Sequence, residues 1–119
     1  MNTARKGRAG EDFAVDFFTR KGYGVIARNF RRGRGEIDLI VGRNDEVVFV
    51  EVKHWTSYGT EAIEYGVNGE KTKRILNVAK IFAAENPACD GCRMRFDVLF
   101  VPGSERDAVH FEDAFREEK

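Results

Sequence analysis

The sequence predicts an α/β fold, because segments with helical periodicity and segments with strand-like patterning are interspersed along the chain. Apolar residues recur at helical spacing over about residues 3–21 and 68–86. Runs rich in Val, Ile and Phe predict strands at residues 23–30, 35–40, 48–53 and 93–101, with a short strand near residues 108–111. Because 119 residues suit one hydrophobic core, we expect a single domain over residues 1–119.

The composition is that of an ordinary globular protein. Hydrophobic residues make up 42% of the chain and charged residues 34%. No apolar run approaches the ~20 residues that span a bilayer, and the basic start "MNTARKGRAGED" lacks the apolar stretch of a secretory signal. We therefore expect a cytoplasmic protein with no membrane partner.

The first helix is predicted to be amphipathic and to end near Gly22. Gly7 and Gly10 project onto its apolar side, where they would allow a close approach to a sheet. Glu11 falls at the margin of that side and is a candidate site residue; an ordinary first-turn acid that complements the helix dipole is the simpler interpretation. The apolar side itself consists of Phe13, Ala14, Phe17 and Phe18.

Two strand-like segments, "GEIDLI" and "VFVEVK", are predicted to form a hairpin. Asn44 and Asp45 suit a two-residue turn, which pairs Leu39 with Val50 and Asp38 with Glu51. The same register pairs Glu36 with Lys53. One face of the hairpin is then wholly apolar and consists of Ile37, Leu39, Val41, Val48, Val50 and Val52.

The opposite face of this hairpin carries a charged group at its open end. Asp38 and Glu51 would face each other at a Cβ separation of ~5 Å, where like charges are destabilising. A shared proton, a nearby cation such as Lys53, or a bound divalent metal ion would relieve the repulsion. The second remedy alone amounts to a structural salt-bridge network, and this interpretation stays open.

The charged group suits metal-dependent hydrolysis of phosphodiesters. Magnesium binds through one or two acids and keeps water and phosphate as its other ligands. Asp38 and Glu51 are the candidate ligands for Mg²⁺, with Mn²⁺ as a substitute. Lys53 could orient the nucleophile or stabilise developing negative charge, and Glu11 could hold a water molecule or a second ion.

Basic residues just before the hairpin are candidates for contacts with nucleic acid. Arg31, Arg32 and Arg34 lie in "RRGRG", which we interpret as a flexible connection. The formal net charge is zero, but residues 1–35 hold nine basic and three acidic residues, so 9 − 3 = +6 and the remainder carries −6. This split indicates a polyanion-facing region, although a solvated charged surface would explain it equally well.

Cys89 and Cys92 form one C-x-x-C motif in a segment that contains Pro and Gly. Structural zinc sites usually need four ligands, and the two histidines, His54 and His110, each stand alone in the sequence. Two reduced thiols in a loop explain the motif better than a zinc site or a redox-active dithiol.

Several segments together resemble the YraN family, a bacterial group described as candidate endonucleases. They are "GRAGEDFAVDFFTRKGYGVIARNFRRGRGEIDLI", "VFVEVK", "YGTEAIEYGVNGEKTKRI" and "RFDV". The pattern Asp38, Glu51-x-Lys53 is similar to the PD-(D/E)xK nuclease site, and the helix with Glu11 resembles that of archaeal Holliday-junction resolvases.

The resemblance implies a restriction-endonuclease-like, three-layer α/β/α core with a central mixed sheet. It implies metal binding by Asp38 and Glu51, a catalytic role for Lys53 and a supporting role for Glu11. Lys71 matches the basic residue that opens the family's K-x-x-R segment, in which Thr72 stands where Gln is common. By analogy with resolvases, a homodimer is expected.

Three hypotheses follow for the function. The first is a magnesium-dependent endonuclease that acts on DNA, including branched or structured DNA. The second is a nucleic-acid-binding module with a nuclease-like fold and no activity. The third is a structural protein whose charged hairpin is only a salt-bridge network.

Overall fold

The computed structural model describes residues 3–54, 69–101 and 108–114; the side chains of residues 3–8, 69 and 71 lie outside the description. Within these residues, two helices and five strands follow one another, and a 3-10 turn at Pro87–Cys89 precedes the fourth strand. In chain order the elements are α1 (Thr3–Arg20), β1 (Gly24–Arg32), β2 (Gly35–Arg43), β3 (Glu46–His54), α2 (Gly69–Glu85), β4 (Arg93–Val101) and β5 (Val109–Phe111).

The strands form one mixed sheet in the order β1-β2-β3-β4-β5. β3 and β4 are parallel, and the other neighbouring pairs are antiparallel. α2 lies between β3 and β4 in the sequence, as expected for a crossover between parallel strands. The α/β class and the mixed sheet are therefore confirmed. No helix among the described residues is long and apolar enough to cross a membrane.

Each helix covers one face of the sheet, which gives the three predicted layers. Along β3, Val48 and Val50 pack with Ala14 and Phe18 of α1. The alternate residues Val47 and Phe49 pack with residues of α2 such as Phe82. Because successive side chains of a strand point to opposite faces, these two clusters lie on opposite sides of the sheet.

The predicted β2–β3 register is confirmed from the turn to the pair Leu39–Val50. Asn44 has φ 56°, the left-handed conformation that a tight hairpin turn requires. Ile37 was predicted to lie on the same face of the hairpin as Leu39 and Val41, and this prediction is wrong. Ile37 packs in the cluster under α2, whereas Leu39 and Val41 pack under α1. Strict alternation along β2 therefore breaks around Asp38.

The basic segment before β2 also differs from the prediction. We expected a flexible connection over residues 31–35, but β1 continues through Arg32 and β2 begins at Gly35. Arg31 pairs with Glu36 and Arg32 with Gly35 in the ladder. Gly33, with φ 56°, adopts the left-handed conformation that closes this hairpin tightly.

Two glycines lie where the helices pack on the sheet. A Cβ on Gly10 would lie 3.5 Å from Val101 Cγ2, an ordinary van der Waals contact, so the packing of α1 on β4 does not require glycine there. A Cβ on Gly35 would lie 2.5 Å from Val78 Cγ2 and 3.0 Å from the Arg74 carbonyl oxygen of α2. The start of β2 therefore depends on a missing side chain, whereas the predicted role of Gly10 is not supported.

Candidate active site

The predicted acids of the hairpin meet where the β2–β3 ladder ends. Asp38 follows Ile37 on β2, one residue beyond the last pair of the ladder, Leu39–Val50. The Val52 backbone N–H donates a hydrogen bond of 2.8 Å to Asp38 Oδ2. A side-chain oxygen thus accepts from β3 at a point where a continued ladder would offer a backbone carbonyl, which accounts for the break in alternation along β2.

The Asp38 and Glu51 side chains lie close enough for Glu51 to influence the pKa of Asp38. Burial raises the pKa of Asp38 above its ordinary value, although the hydrogen bond from the Val52 N–H, the neighbouring Glu51 and the charge of Lys53 act in the opposite direction. Asp38 therefore takes up a proton more readily than an exposed Asp.

Lys53 supplies the positive charge of this group. Its Nζ lies 3.5 Å from Glu51 Oε1, and the two side chains are only 18% and 11% exposed. Asp38, Glu51 and Lys53 thus form one partly buried cluster, as the register predicted. One of the three remedies for the carboxylate repulsion, a neighbouring ammonium group, is therefore present.

Glu11 of α1 is tied to the strand that flanks Asp38. Asn29 Nδ2 of β1 donates a hydrogen bond of 3.1 Å to Glu11 Oε2, and the Arg28 guanidinium lies 3.5 Å from the same oxygen. The pairs Arg28–Leu39 and Phe30–Ile37 bracket Asn29 and Asp38, so these two residues face each other across the β1–β2 ladder. Glu11 is therefore fixed to the position opposite Asp38.

Sequence reasoning missed Asn29. Its φ of 51° is left-handed, which is uncommon inside a strand and which Asn tolerates better than most residues. Asn is also depleted in strands. An Asn in the middle of the predicted strand "YGVIARNF" was therefore the available signal.

The three arginines predicted to contact nucleic acid differ in the ion pairs that they make within the protein. Arg31 is 74% exposed and lies 3.0 Å from Glu36 Oε2. Arg32 makes a two-pronged ion pair with Glu85, with hydrogen bonds of 3.0 and 2.8 Å. Arg34 is exposed in the turn before β2 and makes no ion pair with any other described residue.

Lys71 and Thr72 lie in the first turns of α2. The side chain of Lys71 is outside the description, so its predicted role stays a prediction. The Thr72 hydroxyl oxygen is buried and has no hydrogen-bond partner among the described residues.

The carboxylate pair fits a hard divalent cation. Among the described residues, no group of three or more His, Cys, Asp or Glu side chains is arranged to hold a metal ion. Mg²⁺ does not require three, because it is usually bound by one or two carboxylates together with water and substrate phosphate. Asp38 and Glu51 supply that donor set.

A second charged network lies on β4, beside β3, and extends through Arg95 to Glu46 at the start of β3. Asp97 of β4 is fully buried. It accepts two hydrogen bonds of 2.8 Å from Arg95, one from the Asp113 backbone N–H, and pairs with His110 Nε2 at 2.7 Å. Burial acts to raise the pKa of Asp97, but the bonds from His110 and Arg95 outweigh it, so the pKa lies below its ordinary value.

The fold and the hairpin define the class of protein: a three-layer α/β protein whose central hairpin carries a carboxylate pair with a neighbouring lysine. Residues 10–101 match the model of the family described as "Uncharacterised protein family UPF0102", and the chain belongs to this family. The family is the YraN family to which the sequence motifs pointed.

Similar proteins match nearly the whole chain. A UPF0102 protein of Chloroherpeton thalassium is 39% identical over an alignment of 129 positions, which covers 98% of this chain and 98% of its own. A UPF0102 protein of Caldicellulosiruptor bescii is 40% identical over 87% of this chain and 88% of its own. A UPF0102 protein of Treponema pallidum is 39% identical over 93% of this chain and 92% of its own. None of these names states an activity.

Proposed function

We propose that the protein is a magnesium-dependent endonuclease that hydrolyses phosphodiester bonds in DNA, including branched or structured DNA. The observation that supports this proposal best is the partly buried group of Asp38, Glu51 and Lys53, in which Lys53 Nζ lies 3.5 Å from Glu51 Oε1. Burial raises the pKa of Asp38, so keeping both acids charged costs stability. A bound metal ion would offset that cost.

Each residue has a distinct role in this proposal. Asp38 and Glu51 would hold Mg²⁺, which supplies an activated water molecule and neutralises charge on the phosphate. The Val52 N–H orients the Asp38 carboxylate. Lys53 lies beside a metal ligand, where its ammonium group would stabilise the developing negative charge or align the nucleophile.

Nucleic acid would approach past the β1–β2 turn. Arg34 is exposed there, and Arg31 is paired only at the surface. Phosphate contacts from such residues position a nucleic acid without reading its sequence. Arg32 would have to leave its two hydrogen bonds to Glu85 to contribute, so we rank Arg34 and Arg31 above it.

A nucleic-acid-binding module without activity is the second candidate. The observation that favours it is the ion pair within the cluster, since Lys53 lies beside Glu51 and already compensates part of the negative charge without a metal ion. Such a module would bind DNA equally well with and without Mg²⁺, whereas the endonuclease needs the cation for turnover.

One experiment separates these candidates. Labelled linear, single-stranded and four-way-junction DNA are incubated with Mg²⁺, with Mn²⁺ and with EDTA. Asp38→Asn and Lys53→Ala are compared with Asp90→Asn and Lys80→Ala, which change exposed residues near the Glu46 end of the sheet. We expect cleavage to fall at least ~100-fold in the first two variants and to be unchanged in the controls.

The outcomes are distinct. Cleavage that is unchanged in Asp38→Asn and Lys53→Ala would refute the assigned site. Binding of DNA by the native protein without cleavage in either metal would leave the binding module as the function.

A further inference from the structure

The two cysteines lie in a turn whose geometry is suited to a disulfide. The Cys92 backbone N–H donates a hydrogen bond of 3.0 Å to the Cys89 carbonyl oxygen. Between them, Asp90 has φ −64° and ψ 130°, and Gly91 has φ 84°. These angles are those of a type II β-turn, with glycine at the position that requires positive φ. The C-x-x-C motif is therefore folded into a closed four-residue turn.

This turn brings the cysteine backbones to disulfide distance. The Cα atoms at the two ends of a β-turn lie less than about 7 Å apart, and disulfides usually join Cα atoms about 4.4–6.8 Å apart. The two thiols lie close enough for Cys92 to raise the pKa of Cys89. Both cysteines are reduced and partly buried, and both pack against the apolar cluster under α2.

We propose that Cys89 and Cys92 form a reversible dithiol–disulfide site that exchanges with organic disulfides. In the first step the Cys92 thiolate attacks one sulfur of the disulfide RSSR, forms a Cys92–SR bond and releases RS⁻. In the second step the Cys89 sulfur attacks Cys92, the Cys92–SR bond breaks and the second RS⁻ leaves. The two protons of the thiols pass to the two leaving groups, so one dithiol and one RSSR give one protein disulfide and two RSH.

The surroundings of the pair determine which cysteine reacts first. Burial raises the pKa of Cys89, and the neighbouring Cys92 thiol raises it further. The thiolate is the nucleophile in exchange. Cys89 is therefore the poorer initial nucleophile, and Cys92 is the point of entry while Cys89 closes the ring.

This site is separate from the carboxylate pair. Cys92 directly precedes Arg93, which pairs with Glu46 at the start of β3, whereas Glu51 lies five residues further along that strand. At about 3.3 Å per residue the two sites are roughly 17 Å apart along the strand. The proposal therefore does not depend on the proposed endonuclease activity.

The test equilibrates the full chain with reduced and oxidised glutathione, followed by acid quenching, alkylation and mass determination. We expect the native protein to lose both free thiols and two hydrogen atoms, with no bound glutathione. Cys89→Ser should instead accumulate one glutathione on Cys92. Cys92→Ser should be modified at least tenfold more slowly than Cys89→Ser.

Gly91→Ala tests whether the turn favours the disulfide. A Cβ on Gly91 would meet no atom within 4 Å, so the substitution strains only the left-handed conformation. We expect it to lower the equilibrium constant for disulfide formation about tenfold, which corresponds to about 30 mV for this two-electron couple.

Three outcomes would overturn the proposal. They are free thiols in the native protein under conditions that modify Cys89→Ser, a stable mixed disulfide in the native protein, and an unchanged equilibrium constant in Gly91→Ala.

Discussion

Asn29 donates a hydrogen bond of 3.1 Å to Glu11 while it faces Asp38 across the β1–β2 ladder. One amide thus joins the helix that carries Glu11 to the strand beside the carboxylate pair. Because Asn29 is left-handed, its replacement must preserve the backbone if the side-chain contact is to be tested alone.

Asn29→Gly and Asn29→Asp form a pair of variants that separates these effects. Both tolerate positive φ, but Gly only removes the hydrogen bond, whereas Asp places a second carboxylate against Glu11. We expect a loss of about 1 kcal/mol in the free energy of unfolding for Asn29→Gly and a larger loss for Asn29→Asp, measured by urea denaturation. Equal stability of the two variants would contradict this arrangement.

The carboxylate pair should cost stability when no metal is bound. Asp38→Asn keeps an oxygen that can accept from the Val52 N–H and removes a charge that burial disfavours. We expect the free energy of unfolding of this variant to exceed that of the native protein by about 1 kcal/mol at pH 7 in EDTA. Asp90→Asn, at an exposed position, should stay within ~0.5 kcal/mol of it. A less stable Asp38→Asn would show that the pair is not strained.

The Asp97 network should be essential for the fold. Asp97→Ala would leave the Arg95 guanidinium, which is 17% exposed, without its buried partner. Removal of one member of a buried ion pair costs about 3–5 kcal/mol. Loss of the surface acid in Asp16→Ala, which pairs with Arg20 across one helical turn, should cost less than ~0.5 kcal/mol. Thermal and urea unfolding measure both, and similar losses would refute the distinction.

The same residue predicts how stability depends on pH. The pKa of Asp97 is lowered in the folded state, so the folded protein binds fewer protons here than the unfolded chain, whose Asp pKa is ~3.9. Its contribution is therefore complete above about pH 5 and is lost as the pH falls through the folded pKa. Arg95 and His110 contact Asp97 directly, and Glu46 and Tyr23 contact Arg95.

Asp97→Asn isolates that contribution because it cannot titrate. Below pH 5 the unfolding free energy of the native protein should fall more steeply than that of Asp97→Asn. Parallel pH profiles, measured by urea denaturation, would show that other acids dominate.

Gly35 offers a test of how α2 is seated on the hairpin. Gly35→Ala would drive a methyl group into Val78 and the Arg74 carbonyl, so we expect a loss of about 1–3 kcal/mol in unfolding free energy. Gly24→Ala adds a Cβ whose nearest contact is at 4.0 Å, and it should have little effect. If both variants were equally stable, the close packing of α2 on β2 would not be needed.

The parts of the site that follow from local rules were predictable from the sequence. Asn44 and Asp45 set the turn, and the apolar alternation then fixed Asp38 near Glu51. The side of the sheet on which Ile37 lies was not predictable, because the hydrogen bond from the Val52 N–H to the Asp38 side chain breaks the alternation. Likewise, the extension of β1 through Arg32 depends on the left-handed Gly33, which permits a turn of two residues.

Contacts made between distant segments were also beyond local rules. The bond from Asn29 to Glu11 joins residues 18 positions apart, and Arg32 meets Glu85 from another layer. Periodicity identifies which side of a helix is apolar, but it does not identify the strand residue that a polar side chain at its margin will meet.

The carboxylate hairpin is local in sequence, and this has a consequence for the order of folding. Asp38 and Glu51 are 51 − 38 = 13 residues apart, whereas the parallel pair Glu46–Arg93 spans 93 − 46 = 47 residues. Because closing short loops costs less entropy, we expect the two acids to meet while water still surrounds them. The electrostatic penalty would then arise late, when β4 and α2 dock. Mutational φ-values near 1 at Val48 and near 0 at Val98 would fit this order, and the reverse would exclude it.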